Sequence, residues 1–262
     1  MRRRRTGSLE SMPSPVNRPV FHLVPAGAPA RVVGLATTLA RRWWPAHCLV
    51  CREPVETAGI DLCTTCRDAL PWQRIACPRC ALPLGAPAPA CGACLRRPPP
   101  VTETRAVFRY EPPLDRLLPR LKFHDDLAAG RLCAGLMADV LAAAPRPDAL
   151  VPLPLHRARL RSRGFDQTLE LARPLAWTLA LTLRDDLLVR ARATAPQSRL
   201  DAAARRRNLR GAFSVRTGRR MPAHVALVDD VMTTGATLHA AADALRRAGV
   251  ARVDAWVCAR VA

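Results

Sequence analysis

One stretch, residues 224–238, constrains the fold of this chain more than any other. It runs His-Val-Ala-Leu-Val-Asp-Asp-Val-Met-Thr-Thr-Gly-Ala-Thr-Leu and opens with an apolar run at residues 225–228. A short apolar run bounded by polar residues predicts a buried strand of a parallel sheet. Two carboxylates, Asp229 and Asp230, stand where this strand is predicted to end. The alanine- and leucine-rich residues 238–248 then predict a helix.

The loop between the predicted strand and helix suits a phosphorylated sugar. Its candidate binding residues are Thr233, Thr234, Gly235, Ala236 and Thr237. Backbone N–H groups at a helix N-terminus can bind a phosphate, and the helix dipole adds about 0.3–1 kcal/mol. Gly235 lets the backbone approach the ligand closely, and the threonine hydroxyls donate further hydrogen bonds. Asp229 and Asp230 can accept hydrogen bonds from vicinal ribose hydroxyls or hold a divalent cation.

This segment resembles the phosphoribosyl-diphosphate (PRPP) motif of type I phosphoribosyltransferases. In that motif a hydrophobic strand runs into Asp-Asp-Val, one free position and Thr-Thr-Gly-x-Thr, and residues 229–237 match every fixed position. The resemblance implies PRPP and Mg²⁺ as ligands, with Asp229 and Asp230 as the catalytic pair. The alternative is an ordinary strand-to-helix turn with threonine caps and a solvated pair of aspartates. The motif is not a P-loop, because Gly-x-x-x-x-Gly-Lys is absent.

Eight of the ten cysteines form four Cys-x-x-Cys pairs in the first half of the chain. The pairs are Cys48/Cys51, Cys63/Cys66, Cys77/Cys80 and Cys91/Cys94. Each pair can direct two thiolates at one metal, and two pairs complete a tetrahedral zinc site. Gaps of 11, 10 and 10 residues favour two tandem zinc ribbons with two structural Zn²⁺ ions, although spacing also permits interleaved pairing. Cys133 and Cys258 are predicted to be buried small hydrophobes.

Disulfides and an iron–sulfur cluster are the rival interpretations of the cysteine pairs. Disulfides belong to secreted proteins, and the basic start at residues 2–5 is followed by polar residues where a signal peptide would have an apolar core. No apolar run approaches the ~18 residues of a membrane span, so no membrane insertion is expected. The sequence therefore predicts a cytoplasmic protein whose cysteines bind zinc.

The chain is strongly basic, with a formal net charge of +20 from 41 lysine and arginine residues. Lys122 is the sole lysine. A charge of this size favours polyanions such as nucleic acid or phosphorylated metabolites. Arginines cluster at residues 157–163 and at residues 205–210, and both clusters follow predicted strands. They suit a diphosphate and nucleic-acid phosphates equally well.

The order of these features predicts a fold and its domains. Residues 1–30 read as a disordered basic tail, and Met1 and Met12 are both suitable start sites. Residues 31–97 read as an amphipathic helix followed by a double zinc ribbon. A proline-rich joint leads to residues 101–262, where strands and helices alternate as in βαβ units. The predicted class is α/β, a type I phosphoribosyltransferase-like parallel sheet flanked by helices and preceded by the cysteine-rich module.

Together these features resemble the ComF family of competence-associated proteins, which are related to the amidophosphoribosyltransferases. Besides the ribbons and the PRPP motif, the resemblance rests on Leu-Lys-Phe at 121–123, Val-Pro-Leu-Pro-Leu-His-Arg at 151–157, Arg-Gly-Phe at 163–165, Pro-Gln at 196–197, Arg-Asn at 207–208 and Gly-Ala-Phe at 211–213. It implies a PRPP-binding fold, with His156 and Arg157 among the binding residues, and a role in DNA uptake. Asp166, where the family has Asn, and Pro119 depart from the pattern.

Two classes of function follow from this resemblance. In the first, the protein is an adaptor that handles single-stranded DNA, with DNA-uptake or recombination proteins as partners and a PRPP site that is regulatory or vestigial. In the second, it is a phosphoribosyltransferase that transfers phosphoribosyl from PRPP to an amine or nucleobase. The donor half of such a site is present in the sequence. No acceptor pocket is recognisable, so the adaptor is the leading interpretation.

The four cysteine pairs predict two zinc ions per chain, bound by all eight thiolates. Metal analysis of the purified protein with reduced thiols should give this stoichiometry. Replacing Cys63 or Cys91 with Ser should unfold the module, because zinc binding supplies roughly 10–16 kcal/mol to a region with few large apolar residues. A zinc content of one or none in the unmutated protein would contradict the tandem arrangement.

Overall fold

The computed structural model describes residues 46–55, 60–123, 126–192 and 211–262 of the chain. The predicted tail and amphipathic helix at residues 1–44 lie outside these ranges. The arginine cluster at residues 205–210 also lies outside them. Within the described ranges, none of the helices has both the length and the apolar character of a membrane span.

Helices and strands follow one another in the order predicted for an α/β domain. The helices are α1 (Thr64–Asp68), α2 (Gly92–Arg96), α3 (Leu114–Phe123), α4 (Leu127–Leu141), α5 (Arg157–Arg163), α6 (Gln167–Thr178) and α7 (Ala236–Arg247). The strands are β1 (Thr104–Arg109), β2 (Ala149–Pro152), β3 (Thr182–Leu183), β4 (Leu188–Arg190), β5 (Phe213–Val215), β6 (His224–Met232) and β7 (Arg252–Arg260).

Five of the strands form one parallel sheet in the order β1-β7-β6-β2-β3. The apolar run that begins β6 is fully buried, as expected for a central parallel strand covered on both faces. The strand continues to Met232, four residues beyond the predicted end, because it pairs with β7 as far as Arg260. The predicted class, a parallel α/β sheet with a cysteine-rich module before it, is confirmed.

The two faces of the sheet pack against different helices. On one face, α4 and α6 pack against alternate residues of β6 and β7, among them Ala226 and Val228. On the other face, α7 packs against Val225 and Leu227. Cys133 and Cys258 are buried in the first of these cores, as the sequence predicted. Strands β4 and β5 pair with each other in an antiparallel ribbon separate from the main sheet.

The residues that depart from the family pattern fit the helices in which they lie. Helix α3 continues through Pro119, and α6 continues through Pro174. Asp166 begins α6, where its carboxylate accepts hydrogen bonds from the N–H groups of Thr168 and Leu169. It also accepts one from the N–H of Leu155 at 3.1 Å. An aspartate is among the best residues at this position, because its carboxylate satisfies N–H groups that the helix leaves unpaired.

The cysteine-rich module covers the outer edge of β1. The segment between its two halves forms two backbone hydrogen bonds with β1. The N–H of Gln73 donates to the carbonyl of Val107 at 2.9 Å, and the carbonyl of Pro71 accepts from the N–H of Arg109 at 2.8 Å. The Trp72 ring packs against Phe108, with 4.7 Å between the ring centroids. An uncovered edge strand would invite pairing with other chains. The module therefore completes the sheet, and its first half shares a hydrophobic core with α4 and α6.

Candidate functional site

Eight cysteines form two clusters, each able to hold one metal ion. One cluster contains Cys48, Cys51, Cys63 and Cys66, and the other contains Cys77, Cys80, Cys91 and Cys94. Within each cluster the sulfur atoms lie within 4.8 Å of one another, and the Cys51–Cys63 and Cys80–Cys91 Sγ–Sγ distances are both 3.7 Å. A tetrahedron with Zn–S bonds of about 2.3 Å has S–S edges of about 3.8 Å. The clusters fit two zinc ions in the predicted tandem pairing.

The first cysteine of each cluster is the one most readily ionised. Burial alone would raise the pKa of Cys48, but backbone N–H groups directed at its sulfur lower that pKa to about 6. The same balance lowers the pKa of Cys77 to about 7. Because the thiolate is the form that binds metal, each site has one ligand prepared near neutral pH.

The acidic pair lies where the connections of two neighbouring strands diverge. The chain leaves β2 through α5 and α6 towards β3, whereas it leaves β6 through α7 towards β7 on the other side. Helices α6 and α7 also cover opposite faces of the sheet. Pairing between β2 and β6 ends at Val228, so Asp229 and Asp230 follow at the opening between the strands. Ligands of open α/β sheets bind at such a switch point.

The two carboxylates are held by backbone N–H groups and by one cation. Asp229 accepts from the N–H of Asp230, and Asp230 accepts from the N–H of Val231, both at 2.9 Å. Asp230 is buried, and its other oxygen, Oδ2, lies 3.3 Å from Nζ of Lys122 on α3. In the sequence, Lys122 was recognised only as part of the Leu-Lys-Phe match and was not predicted to lie at the acidic pair. Its status as the sole lysine of an arginine-rich chain was the signal that could have identified it.

The protonation of the pair is constrained by its surroundings. Burial raises the pKa of Asp229 well above its ordinary value, and the neighbouring Asp230 carboxylate raises it further. Lys122 acts in the opposite direction, because its positive charge favours the ionised form. The net direction is upward, so the Lys122 charge does not offset burial and the neighbouring carboxylate, and such a pair suits a divalent cation or a hydroxyl donor.

The loop after β6 has the form expected of a phosphate-binding loop. Gly235 has a φ angle of 74° and begins α7 without a side chain that could cap the helix. A Cβ at this position would lie 2.4 Å from the terminal methyl group of Met232, which would have to move, and the positive φ angle is one that other residues rarely adopt, so glycine is favoured here by its conformation. Thr233 and Thr234 are exposed, and Thr237 is half-buried in the first turn. This places hydroxyl and amide donors at the positive end of the helix dipole.

Arginines from two elements act on the acidic pair across the cleft. Arg163, at the end of α5, is coupled electrostatically to Asp230, and Arg190 on β4 is coupled to Asp229. Burial lowers the pKa of both guanidinium groups, and the positive charge of Arg159 lowers them further. Nothing in the local sequence identified Arg190, because it lies on a strand distant from the motif.

The two predicted binding residues of the segment after β2 occupy the start of α5. His156 is the N-cap of this helix, and its Nδ1 atom accepts from the N–H of Ala158 at 3.2 Å. Arg157 follows at the first helical position and is exposed. Both lie beyond the carboxyl end of β2, the strand that neighbours β6. Their part in PRPP binding remains a prediction.

Arg260 connects the second cysteine cluster to the strand that carries the acidic pair. Its buried guanidinium donates to the carbonyl of Cys80 at 2.9 Å and to that of Met232 at 3.3 Å. Met232 is the last residue of β6, directly before the loop. The position of the loop therefore depends in part on a metal-binding turn far away in the sequence.

A cavity of about 840 Å³ lies between this second cluster and α7. Its walls include Thr234 and Ala236 from the loop, His239 and Asp243 from α7, and Arg97 from the end of the module. Asp229 and Asp230 are not among the residues that line it. The cavity thus adjoins the loop after β6 rather than the acidic pair.

Comparison with known proteins gives three results. Residues 39–95 match the double zinc ribbon domain. The chain is 38% identical to the DNA utilization protein YhgH of Salmonella typhi, over 82% of this chain and 97% of that protein. It is 32% identical to competence protein F of Haemophilus influenzae, over 82% of this chain and 96% of that protein.

Among solved structures, the chain is similar to the glutamine PRPP amidotransferase of B. subtilis complexed with ADP and GMP. The identity is 20%, the TM-score is 0.35, and the likeness covers 51% of this chain and 27% of that one. It is also similar to the adenine phosphoribosyltransferase of Trypanosoma brucei, with 10% identity and a TM-score of 0.37, over 60% of this chain and 82% of that one.

Replacing Asp229 with Asn should stabilise the protein at neutral pH. The raised pKa of Asp229 means that the folded state holds a proton there more tightly than the unfolded chain does, so the stability tied to this group is greatest below the pKa of the unfolded chain. It is lost as the pH rises through the raised pKa of the folded state. Asn cannot ionise, and we expect the free energy of unfolding to rise by about 0.5–2 kcal/mol at pH 7.

Urea denaturation across a pH series, in buffer without added Mg²⁺, measures this effect. The stability of the Asp229→Asn variant should vary less with pH than that of the unmutated protein between about pH 4 and pH 7. Asp185→Asn, at an exposed position after β3, serves as the control and should leave the pH dependence unchanged. A variant no more stable than the unmutated protein at pH 7 would show that Asp229 carries no such strain.

Proposed function

Since the chain belongs to the ComF family of competence-associated proteins, we propose that it binds PRPP at the β6–α7 loop and handles single-stranded DNA during DNA uptake. The observation that carries this proposal is the position of the acidic pair and the open loop at the switch point of the sheet. The names of the relatives, a competence protein and a DNA utilization protein, support the role in DNA metabolism.

Each part of PRPP has a matching group at the site. The loop from Thr233 to Thr237 offers amide and hydroxyl donors to the 5′-phosphate. Asp229 and Asp230 offer acceptors to the ribose hydroxyls, and Arg163 and Arg190 offer charge to the diphosphate. Two adjacent carboxylates of this kind also fit Mg²⁺, which binds proteins through one or two carboxylates together with phosphate oxygens of the ligand. The cation would neutralise the diphosphate and lower the repulsion within the acidic pair.

The adaptor function is better supported than a transferase. A transferase needs a second pocket that presents an acceptor to the ribose carbon from which diphosphate leaves, beside the acidic pair. The cavity of about 840 Å³ borders the loop and the second cysteine cluster instead, and neither aspartate lines it. Among the described residues, this cavity is therefore not an acceptor pocket beside the acidic pair. Release of diphosphate from PRPP in the presence of amines or nucleobases would support the transferase.

We expect single-stranded DNA to bind at the carboxyl ends of the strands, the same end of the sheet as the acidic pair. Helix α5 exposes Arg157, Arg159 and Arg161 directly beyond β2. Phosphate contacts of this kind give affinity without reading the bases, and aromatic residues are too few, at 4%, for stacking to dominate. We place the protein in the cytoplasm, where reduced thiols can hold zinc and where DNA-uptake or recombination proteins would be its partners.

PRPP should bind only in the presence of Mg²⁺, and Asp230→Asn should weaken this binding by at least about tenfold. The reason is that an amide supplies neither the charge that holds the cation nor two acceptor oxygens for the sugar. Isothermal calorimetry with PRPP and Mg²⁺ measures the affinity, and Asp185→Asn is the matched control. Affinity for an oligonucleotide should stay unchanged in Asp230→Asn, because DNA has no need of this acceptor. If millimolar PRPP with Mg²⁺ does not bind the unmutated protein, the proposed ligand is wrong.

Removing two arginines from α5 should make DNA binding less dependent on salt. Each lost phosphate contact lowers the slope of log affinity against log salt by about 0.7 for a single strand, so Arg157→Ser with Arg161→Ser should lower it by about 1.4. Fluorescence anisotropy of a mixed-sequence oligonucleotide across a salt series gives this slope. Arg219→Ser with Arg220→Ser removes the same charge from two exposed positions outside α5 and serves as the control. Equal slopes in the two double variants would rule out α5 as the binding surface.

A further inference from the structure

Lys122 is the only lysine among the 41 lysine and arginine residues of the chain. At every other basic position the composition of this protein supplies arginine. Arginine carries a broad, planar charge that suits two-pronged hydrogen bonding, whereas lysine carries a compact charge on a flexible stem. The single lysine lies at the acidic pair, where its ammonium group approaches one carboxylate oxygen.

The contact between Lys122 and Asp230 is an ion pair at a largely buried oxygen. Nζ lies 3.3 Å from Oδ2, and the side chains are 34% and 5% exposed, respectively. Oδ1 of Asp230 accepts the N–H of Val231, whereas Oδ2 is buried and accepts no hydrogen bond within the described residues. Tyr110, the only tyrosine of the chain, is coupled electrostatically to both groups. The ammonium thus supplies positive charge to an oxygen that lacks a hydrogen-bond donor.

A divalent cation would need the same carboxylate. Burying two adjacent carboxylates is costly without a positive partner, and in the structure Lys122 provides one. We propose that Lys122 is the resident counter-ion of the acidic pair and competes with a divalent cation for Asp230. This inference rests on the proposed function only in taking the acidic pair as the cation site. The competition keeps the affinity for free Mg²⁺ low, so that the cation binds well only together with a phosphorylated ligand.

Binding of Mg²⁺ alone, without PRPP, tests this competition. In Lys122→Met, which keeps the length of the side chain and removes its charge, Mg²⁺ should bind about tenfold more tightly or better, because the opposing charge a few ångströms away is gone. Lys122→Arg restores the charge and should return the affinity to within about threefold of the unmutated protein. Arg116→Met removes one exposed charge from the same helix and controls for the loss of net charge. Equal Mg²⁺ affinity in Lys122→Met and Arg116→Met overturns the proposal.

A second measurement uses the unmutated protein, so it does not depend on how well the variants fold. An amine-reactive succinimidyl ester can modify only Lys122 and the chain's α-amino group. Mg²⁺ should increase the labelling rate of Lys122, followed by mass spectrometry, because displacement from Asp230 leaves the amine more accessible to the ester. An unchanged or slower rate at saturating Mg²⁺ contradicts the competition. The protein could fail to bind PRPP and still show both the tighter Mg²⁺ binding of Lys122→Met and the faster labelling of Lys122. That result would refute PRPP as the ligand and support the role of Lys122.

Discussion

Two carboxylates side by side at the end of a central strand are the constraint on which this structure depends. They repel each other, and burial removes the water that would screen the repulsion. Positive charge from three separate elements acts on the pair and offsets part of this repulsion. The charged residues are Lys122 of α3, Arg163 of α5 and Arg190 of β4. We expect this arrangement to weaken the folded protein, and it would suit the proposed ligand, which brings a cation and hydroxyl donors.

The cysteine-rich module packs directly against the parallel sheet. It covers the edge of β1 through Pro71 and Gln73, and Trp72 packs on Phe108. Arg260 then joins the carbonyl of Cys80 to that of Met232, one residue before the loop. Zinc binding of roughly 10–16 kcal/mol would hold both halves of the module in shape. The metal sites therefore stabilise the sheet edge and the loop as well as their own ribbons.

The basic character of the chain has two structural consequences that differ in kind. On the surface, exposed arginines such as those of α5 are suited to a phosphate backbone. In the cleft, Arg163 and Arg190 are partly or largely buried, so that their charge acts on the acidic pair with less screening by water. The first group favours non-specific binding of polyanions, and the second favours one anionic ligand at one place.

The sequence by itself determined the features whose partners are close along the chain. The cysteine pairs, separated by 10 or 11 residues, form the two predicted tandem sites, and the strand, acidic pair, Gly235 loop and helix follow one another as β6 and α7. Apolar runs and alternation with helices also predicted the parallel sheet. The predicted ends of these elements were less accurate than their order. Strand β6 runs to Met232 because it pairs with β7 that far, and α7 starts at Ala236, two residues before the predicted start, because the turn at Gly235 sets that limit.

Only the tertiary structure decided which distant residues meet. Lys122 reaches Asp230, Arg190 acts on Asp229, and Arg260 joins Cys80 to Met232, although each set is separated by many residues. The covering of β1 by the segment between the ribbons is of the same kind. Local propensity and spacing carry no information about such contacts, since they arise from the order of strands in the sheet and from the face on which each helix packs. The physical reason is that side-chain charge acts through space, whereas sequence patterns report only what is near along the chain.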